Sequence, residues 1–584
     1  ILTGTYEEEA ANTRWQAALS PGWFALLFPA SHPWNQPLFD APEPPPALPL
    51  PTEWLPASVP ELRPVTLREV FYLGSNNWAW RQGEQIYLAN DPHLIRTVPN
   101  LWYALRLRID ARHWVAGVSV PGVPGVVLGR NAHLAWAFTN TGEDVDDLLQ
   151  ETLSPDLQRY LVRHDARGLP VWRDIEKRPY TIEVADSESI TGEAWFTERG
   201  PLAQRPYLDG YYSRQWLGFQ RGLLRIPAIS LNQASDWASA NAAIDQLRLP
   251  AQNIVIAQTN GDLGYRVSGT GIQRQVSGLT AQPALLGVWR GLQPPKERRR
   301  LQRRQDGQIA SLATANEQLW RDPWGHYWSS DDRAVHLRTQ LGTLREANLD
   351  TMQALQLDTT SPYYLALTRW VLQHAPANPT PAQAALLQRW RDWNGTTQAD
   401  PTALESARQL HRLLLRLLVG KVRAQLPEEF AKIPYFSRQQ SALTLTVTQQ
   451  PDGLAAFGLE RAATVAWLLD AVLKRQRDDF PEYNRWHAQH PLAALPFLGR
   501  KFKVAELPQV GHGYGLRVEG PQFGATVRLL YDLRHPENDR LSLPLGQSGH
   551  ADDPHYQDLH ARWFAGQYIP LLDPALRWEA APSE

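Results

Sequence analysis

"LGSNNWAWRQGEQIYLANDPHL", Leu73–Leu94, is the stretch on which the reading of this chain turns. Two runs rich in aromatic and aliphatic residues, "GSNNWAW" and "QIYLAN", flank a polar "RQGE" and read as two strands joined by a turn. A Gly-Ser pair opens the first of them. A serine nucleophile needs a base, and the nearest histidine, His93, lies eighteen residues downstream. Cutting the Gly74–Ser75 bond would solve the problem within one residue. Ser75 would then carry a free α-amine, with a reference pKa of about 7.7–8.0, able to take the proton of its own hydroxyl. Glycine suits the residue before the cut, because the hydroxyl must approach its carbonyl closely. Taken alone, the same pair also reads as an ordinary turn.

Upstream, "APEPPPALPLPTEWLPASVPELRP", Ala41 to Pro64, forbids helix and reads as an extended linker just ahead of Ser75. A short helix is expected before it, over Glu7 to Leu19. Downstream, "LWYALRLRI", "HWVAGVSV", "GVVLG" and "LAWAFTN" continue the strand pattern to about Gln150, and "NIVIAQTNGDLGYRVSG" adds a hairpin. The middle turns helical in "SDWASANAAIDQL", "SSDDRAVHLRTQLGTL", "TALESARQLHRLLLRLLVGKVRAQL" and "LERAATVAWLLDAVLKRQ", several of which open on a Ser, Thr or Asp cap. Strand pattern returns at "GYGLRVEG" and "GATVRLLYDL". Sheets at both ends with helices between them predict an α+β sandwich of stacked antiparallel sheets covered by helices.

Composition removes several function classes. Lys plus Arg (58) nearly balances Asp plus Glu (60), which gives a formal charge of -2 and no electrostatic footprint for nucleic acid. The basic run from Lys296, "KERRRLQRRQDG", reads as a solvated loop. There is no cysteine, which excludes disulfides and thiolate chemistry. No run approaches the roughly 20 apolar residues of a membrane helix. The 24 tryptophans allow a ring-stacking binding protein, although packing is the commoner use of Trp.

Two other clusters compete with Ser75. "GQSGHADDPHYQDLH" gathers His550, Asp552, Asp553, His555, Asp558 and His560, residue types that metal-dependent hydrolases use, but without HExxH spacing and with Pro554 in the middle. Its Ser548 lacks the last glycine of a GxSxG elbow. "TNTGEDVDDL" crowds Glu143, Asp144, Asp146 and Asp147 on a turn, which fits either a solvated acidic turn or a hard cation such as Ca²⁺.

The stretches "GSNNWAW", "LANDPHL", "VPGVPGVVLGRNAHLAWAFTNTGEDVDDL", "PAQNIVIAQTNGDLGY", "TANEQ" and "GQSGHADDPHYQDLHARWFAGQY" follow one another in the order found in the penicillin acylase family, and from about Glu9 to Leu571 the chain resembles these N-terminal nucleophile amidohydrolases. The resemblance implies a four-layer αββα sandwich with helical insertions. It implies a precursor cut before Ser75 into a small and a large chain, and a serine acyl-enzyme acting on linear amides such as a penicillin side chain or an N-acyl homoserine lactone. It places His93 beside the serine amine, and assigns the oxyanion hole to the Asn140 backbone N–H and the Asn253 side-chain amide. Leu94, Val127 and Leu128 match the acyl-pocket wall, and Arg274 an arginine near the substrate. Glu9, Glu143, the Val145 carbonyl and Asp146 match part of a structural Ca²⁺ site between the two chains; no organic cofactor is implied. Periplasmic or secreted location is expected by the same resemblance. On this reading residues 1–40 are a remnant of the small chain and 41–74 the spacer. Residues 75–584 are the large chain, with its core at about 75–320 and 500–584 and a helical insertion at about 330–490. Only 74 residues precede Ser75, fewer than the family's small chain, so a missing segment or second chain is an expected partner.

Overall fold

The computed structural model describes residues 5–30, 32–35, 38, 49–56, 74–108, 110, 113–225, 227–295, 300–303 (backbone), 310–319, 328–475 and 484–572. Of the basic run from Lys296, expected as a solvated loop, Arg300–Arg303 instead forms the edge strand of the second sheet beside Leu263–Val267; the rest of the run and most of the expected spacer at 41–74 lie outside the described residues.

Alternation along one strand sets the layering. In Gly74–Gln82, Ala79 points to one face while Trp78 and Trp80 point to the other. The next strand, Gln85–Ile95, pairs with it antiparallel and repeats the division, with Ile86 and Leu88 on one side and Tyr87 and Ala89 on the other. Together they centre a seven-stranded sheet in the order Ala310–Thr314, Gly74–Gln82, Gln85–Ile95, Arg528–Asp532, Arg540–Ser542, Ile569–Pro570, with Phe523–Ala525 pairing off Gln85–Ile95. A second seven-stranded sheet runs Arg300–Arg303, Leu263–Val267, Gln252–Gln258, Leu134–Asn140, Leu128–Asn131, Trp114–Ser119, Tyr103–Arg108. The inner faces meet in one core, where Ala79, Leu88 and Leu529 of the first sheet join Ala135, Ala137 and Val255 of the second. The rear of the first sheet is covered by helices Asp332–Thr343 and Leu349–Gln356, whose Leu337, Leu341 and Met352 pack on Trp78, Trp80 and Leu530. The outer face of the second is covered by Ala228–Asn232 and Trp237–Ile244, through Leu231, Ala240 and Ile244 against Trp136, Ile254 and Ile256. Helix, sheet, sheet and helix are thus the four layers expected.

The predicted helices form. Tyr6–Ala18 stands where Glu7 to Leu19 was expected, and Trp237–Ile244 starts on an Asp236 capping box. Pro401–Arg423 begins with Asp400 accepting from the Ala403 N–H, and Arg461–Leu473 with Glu460 accepting from Ala462 and Ala463. These long helices build a separate core with Pro362–Gln373 and Pro381–Asp392, onto which the Trp15 face of Tyr6–Ala18 docks. Trp15, Trp78, Trp80, Trp136, Trp486 and Trp563 are fully buried, so these tryptophans serve packing. One strand expectation needs correction, and one sheet is additional. "GYGLRVEG" is a series of turns ending in an isolated bridge from Glu519 to Gly524, because the Arg517 carbonyl accepts from the His512 N–H. A third, six-stranded sheet of hairpins, from Asp146–Glu151 through Glu176–Ile182 to Tyr211–Trp216, was not anticipated.

Candidate functional site

Ser75 is the second residue of its strand, and alternation turns its side chain toward the second sheet, where it heads a cavity of about 340 Å³. Leu94, Trp102, Val127, Leu128, Phe138 and Ile254 are among the walls, with Leu231 and Ile244 from the outer helices. Polar groups reach the lining only through Ser75, Asn140 and Gln252, apart from backbone. The sequence-derived wall residues Leu94, Val127 and Leu128 are therefore brought together with Ser75. A cavity of this lining pairs no charge and gains from burying an apolar chain.

The uncut bond lies at the cavity head. Ser75 Oγ is 2.5 Å from the Gly74 carbonyl oxygen. The Ser75 N–H donates to Asn316 Oδ1 at 2.6 Å, and Asn316 Nδ2 donates to the Asn140 carbonyl at 2.9 Å. Arg333 locks this arrangement from behind: Nη2 donates to Asn316 Oδ1 at 3.1 Å, and Nη1 to the Ser75 carbonyl at 3.0 Å and to Asn76 Oδ1 at 2.6 Å. Asn316 has φ of 72°, a left-handed conformation that a non-glycine residue keeps only where its surroundings hold it. Gly74 has a steric reason as well as a chemical one. A Cβ there would stand 2.4 Å from Asn316 Oδ1 and 3.2 Å from Arg333 Nη2.

Asn253 is placed differently from the expectation. Its Nδ2 donates to Thr139 Oγ1 and the Asn140 carbonyl at 3.2 and 3.3 Å, and its Oδ1 accepts from Tyr265. It braces Asn140, whereas the amide that touches Ser75 belongs to Asn316; neither amide lines the cavity in the uncut chain. In the sequence Asn316 is marked only as a member of "TANEQ", with no role, and Arg333 only as part of a helix. Asn316 and Arg333 are 241 and 258 residues from Ser75 along the chain.

His93 lies on the opposite face of the sheet from the Ser75 hydroxyl. Gly74 pairs with His93 and Ser75 with Pro92, so Pro92 and Leu94 face the cavity and His93 faces rearward. Its Nε2 is 2.6 Å from Asp91 Oδ2 and 3.4 Å from Asn76 Nδ2. Burial holds His93 well below the usual imidazole range, with Arg333, Arg528 and Arg96 adding to the effect. Burial likewise pushes the Asp91 carboxyl well above its usual range, against Arg528 and Arg333. The ring reaches Ser75 only through Asn76.

Arg274 is away from the cavity and belongs to the acidic cluster. Its Nη2 donates to Asp147 Oδ2 at 2.9 Å and lies 3.4 Å from Asp144 Oδ1. Asp146 is gripped by Arg214 through both carboxylate oxygens, at 2.7–3.0 Å. Glu9, from the first helix, accepts from Thr5 Oγ1 and the Leu148 N–H, and the Val145 carbonyl accepts from the Leu217 N–H. Burial and the neighbouring aspartates push Glu9 well above its usual range; burial also lifts Asp144, and raises Asp146 to about 6 against the pull of Arg214. Of the residues that matched a calcium site, Glu9, the Val145 carbonyl and Asp146 have oxygens engaged by protein donors, while Glu143 Oε2 is buried and accepts no hydrogen bond. They do not fit a cation that wants six to eight oxygens.

The histidine-rich tail does not converge. His555 pairs with Asp558 at 2.8 Å, Asp552 with Lys501 at 3.0 Å, and His560 bonds the Pro544 and Ala505 carbonyls. Among the described residues no three His, Asp or Glu side chains are arranged to hold a metal ion. Ser548 Oγ accepts from the His550 N–H, and its hydroxyl is hydrogen-bonded to the Asp553 carboxylate.

A family model for penicillin amidase matches residues 1–576. The chain belongs to the penicillin amidase family. Its curated relatives include an acyl-homoserine lactone acylase, QuiP, of Pseudomonas aeruginosa, 28% identical over 318 residues, which is 50% of this chain and 36% of that protein. QuiP of Pseudomonas syringae pv. tomato is 23% identical over 566 residues, covering 85% of this chain and 66% of the relative. The chain therefore spans between about a third and two thirds of the length of the relatives it matches. Among solved structures, a thermostable penicillin G acylase from Alcaligenes faecalis superposes with a TM-score of 0.63 at 18% identity, covering 87% of this chain and all of that one. That likeness shows the penicillin amidase member to have the N-terminal nucleophile fold. No described helix is long and apolar enough to cross a membrane.

Proposed function

We propose that this penicillin amidase family member is an N-terminal serine amidohydrolase that cuts itself between Gly74 and Ser75 and then hydrolyses linear amides of aliphatic acids. The observation that carries the reading is the position of Ser75, its hydroxyl 2.5 Å from the Gly74 carbonyl oxygen at the head of an apolar cavity. In the first reaction Oγ attacks the Gly74 carbonyl carbon, the C–N bond breaks with the proton passing to the Ser75 nitrogen, and water hydrolyses the resulting ester. The new α-amine stays near Asn316 Oδ1, the acceptor that orients its lone pair toward Oγ. In turnover the amine takes the hydroxyl proton as Oγ attacks the substrate carbonyl, and returns it to the leaving amine. Water then repeats the sequence on the acyl-enzyme. The Asn140 N–H is the donor for the oxyanion, the Asn316 and Asn253 amides both hold the Asn140 carbonyl, and Arg333 positions Asn316.

The relatives' names offer acyl-homoserine lactones as a substrate, and the aliphatic walls suit the acyl half of such a molecule. Each added methylene that the cavity buries is worth about 0.8 kcal/mol, or about fourfold in kcat/KM. The processed enzyme would be a heterodimer of the segments before and after the cut, with a periplasmic or secreted location as in the family. The test is mass spectrometry of purified protein together with an acyl anilide series of increasing length. A chain beginning at Ser75, absent in Ser75→Ala, with kcat/KM climbing to a length optimum, supports the reading; an intact, fully active chain refutes it.

A further inference from the structure

We infer that the cluster tying the segment ahead of Ser75 to the segment behind it is closed by two arginines in place of a divalent cation, so that the two pieces stay together without calcium. The junction is built from both sides. The helix Tyr6–Ala18 contributes Glu9 and Tyr6; the strands Asp146–Glu151 and Tyr211–Trp216 and the hairpin ending at Arg274 contribute Asp146, Asp147, Arg214 and Arg274, with Asp144 just before them.

Counting lone pairs decides between metal and arginine. Glu9 uses Oε1 for Thr5 and Oε2 for the Leu148 N–H. Both oxygens of Asp146 accept from Arg214. Both oxygens of Asp147 accept from Arg274, and Oδ2 also from Trp289 Nε1 at 2.5 Å. Asp144 Oδ1 accepts from the Asp146 N–H at 3.4 Å and faces Arg274. Asp144 Oδ2 and Glu143 Oε2 are the carboxylate oxygens here that accept no hydrogen bond, and Asp144 Oδ2 is packed against Gly278, where even a Cβ would come within 1.9 Å. Two such oxygens cannot make a calcium shell, which takes six to eight. The planar guanidinium fork, in contrast, matches a carboxylate with two parallel bonds, as Arg214 and Arg274 do here.

Arg214 and a third arginine, Arg205, also reach back to the helix. Arg214 stacks 4.8 Å from the Tyr6 ring centroid and Arg205 5.3 Å from it, so the cations grip the first segment through its ring as well as through the acidic group. Neighbouring bonds continue the seam: the Ala281 N–H donates to Thr13 Oγ1 at 2.8 Å and Asn12 Nδ2 to the Leu279 carbonyl at 3.3 Å. The helix is thus held by groups that carry their own positive charge.

The experiment uses the protein as purified. Metal content is measured by plasma emission after dialysis, and thermal unfolding is followed with EDTA, with millimolar Ca²⁺ and with neither. The inference expects no stoichiometric metal and one unfolding midpoint in all three conditions. Arg274→Ser is the second arm, expected to lower the midpoint. Bound calcium at one per chain, or a wild-type midpoint that falls with EDTA and returns with Ca²⁺, overturns it. Neither readout depends on turnover, so a failed activity assignment leaves this result standing.

Discussion

Replacing Asn316 with Ala separates the two amides that compete for the role beside Ser75. Asn316 Oδ1 holds the Ser75 nitrogen at 2.6 Å, and its Nδ2 holds the Asn140 carbonyl at 2.9 Å, so the change removes the anchor of the base and loosens the Asn140 peptide, whose N–H is the proposed oxyanion donor. One such donor is worth about 2.7–4 kcal/mol of barrier, which predicts a fall of about 10²–10³ in kcat. Self-cleavage uses the same groups and should slow by a similar factor. Asn253→Ala removes the buried bonds its amide makes with the Tyr265 hydroxyl and with Thr139 Oγ1, which predicts a loss of about 1–3 kcal/mol in stability with kcat within about tenfold of wild type. The assay counts processed serines by mass spectrometry, measures anilide hydrolysis per processed serine, and follows urea unfolding of both variants. A large loss of kcat in Asn253→Ala, with Asn316→Ala near wild type, would refute the assignment.

Gly74→Ala should slow processing at least about a hundredfold, because the new Cβ drives Asn316 off its bond to Ser75, and misplacement of about 1 Å commonly costs that much; a gel time course at wild-type speed would contradict this. Gln252 is the polar side chain facing the cavity across the ladder from Asn140, so Gln252→Leu should cut kcat/KM for acyl chains with a hydroxyl near the carbonyl about fivefold relative to plain chains, the worth of one hydrogen bond. An unchanged ratio in a paired-substrate assay would count against that contact. Burial alone would raise Glu519, but Arg517, Arg528 and Arg96 outweigh it and hold the group at about 2, below its ordinary 4.5. A depressed carboxylate stabilises above its unfolded pKa and loses that contribution as pH falls toward the folded one. The stability gap between wild type and Glu519→Gln should therefore shrink by about 2 kcal/mol from pH 5 to pH 3 in urea melts, and a constant gap would rule the ion pairs out as its source.

Much of this was legible because it is local. The strand alternation around the Gly-Ser pair and the capped helices are written in neighbouring residues, whereas the role of that pair and the apolar walls at Leu94, Val127 and Leu128 came only through the family resemblance. Contacts across hundreds of residues were not. Asn316 and Arg333 carry no local mark of their work, and "SSDDRAVHL" is as good a helix start without it. The acidic turn was legible as a cluster, but the arginines that saturate it come from strands lying beyond residue 210. The six-stranded sheet was missed because strands such as Glu176–Ile182 are exposed along nearly their whole length and show no apolar face to betray the period.

The division of labour around Ser75 follows from the two-residue period of its strand. Odd positions face the second sheet: Ser75 toward the cavity, and Asn77, whose Nδ2 bonds the Ala137 carbonyl. Even positions face the rear helices, so Asn76 joins Asp91, His93 and Arg333, while Gly74 stays bare because Asn316 occupies the space of its side chain. His93 therefore cannot take a proton from Ser75 Oγ without crossing the sheet. On the proposed mechanism its influence passes through Asn76 and Arg333 to the backbone on either side of the bond to be cut, as that of a positioning residue, and the proton goes instead to a group on the cavity face, the nitrogen that cutting the chain would release.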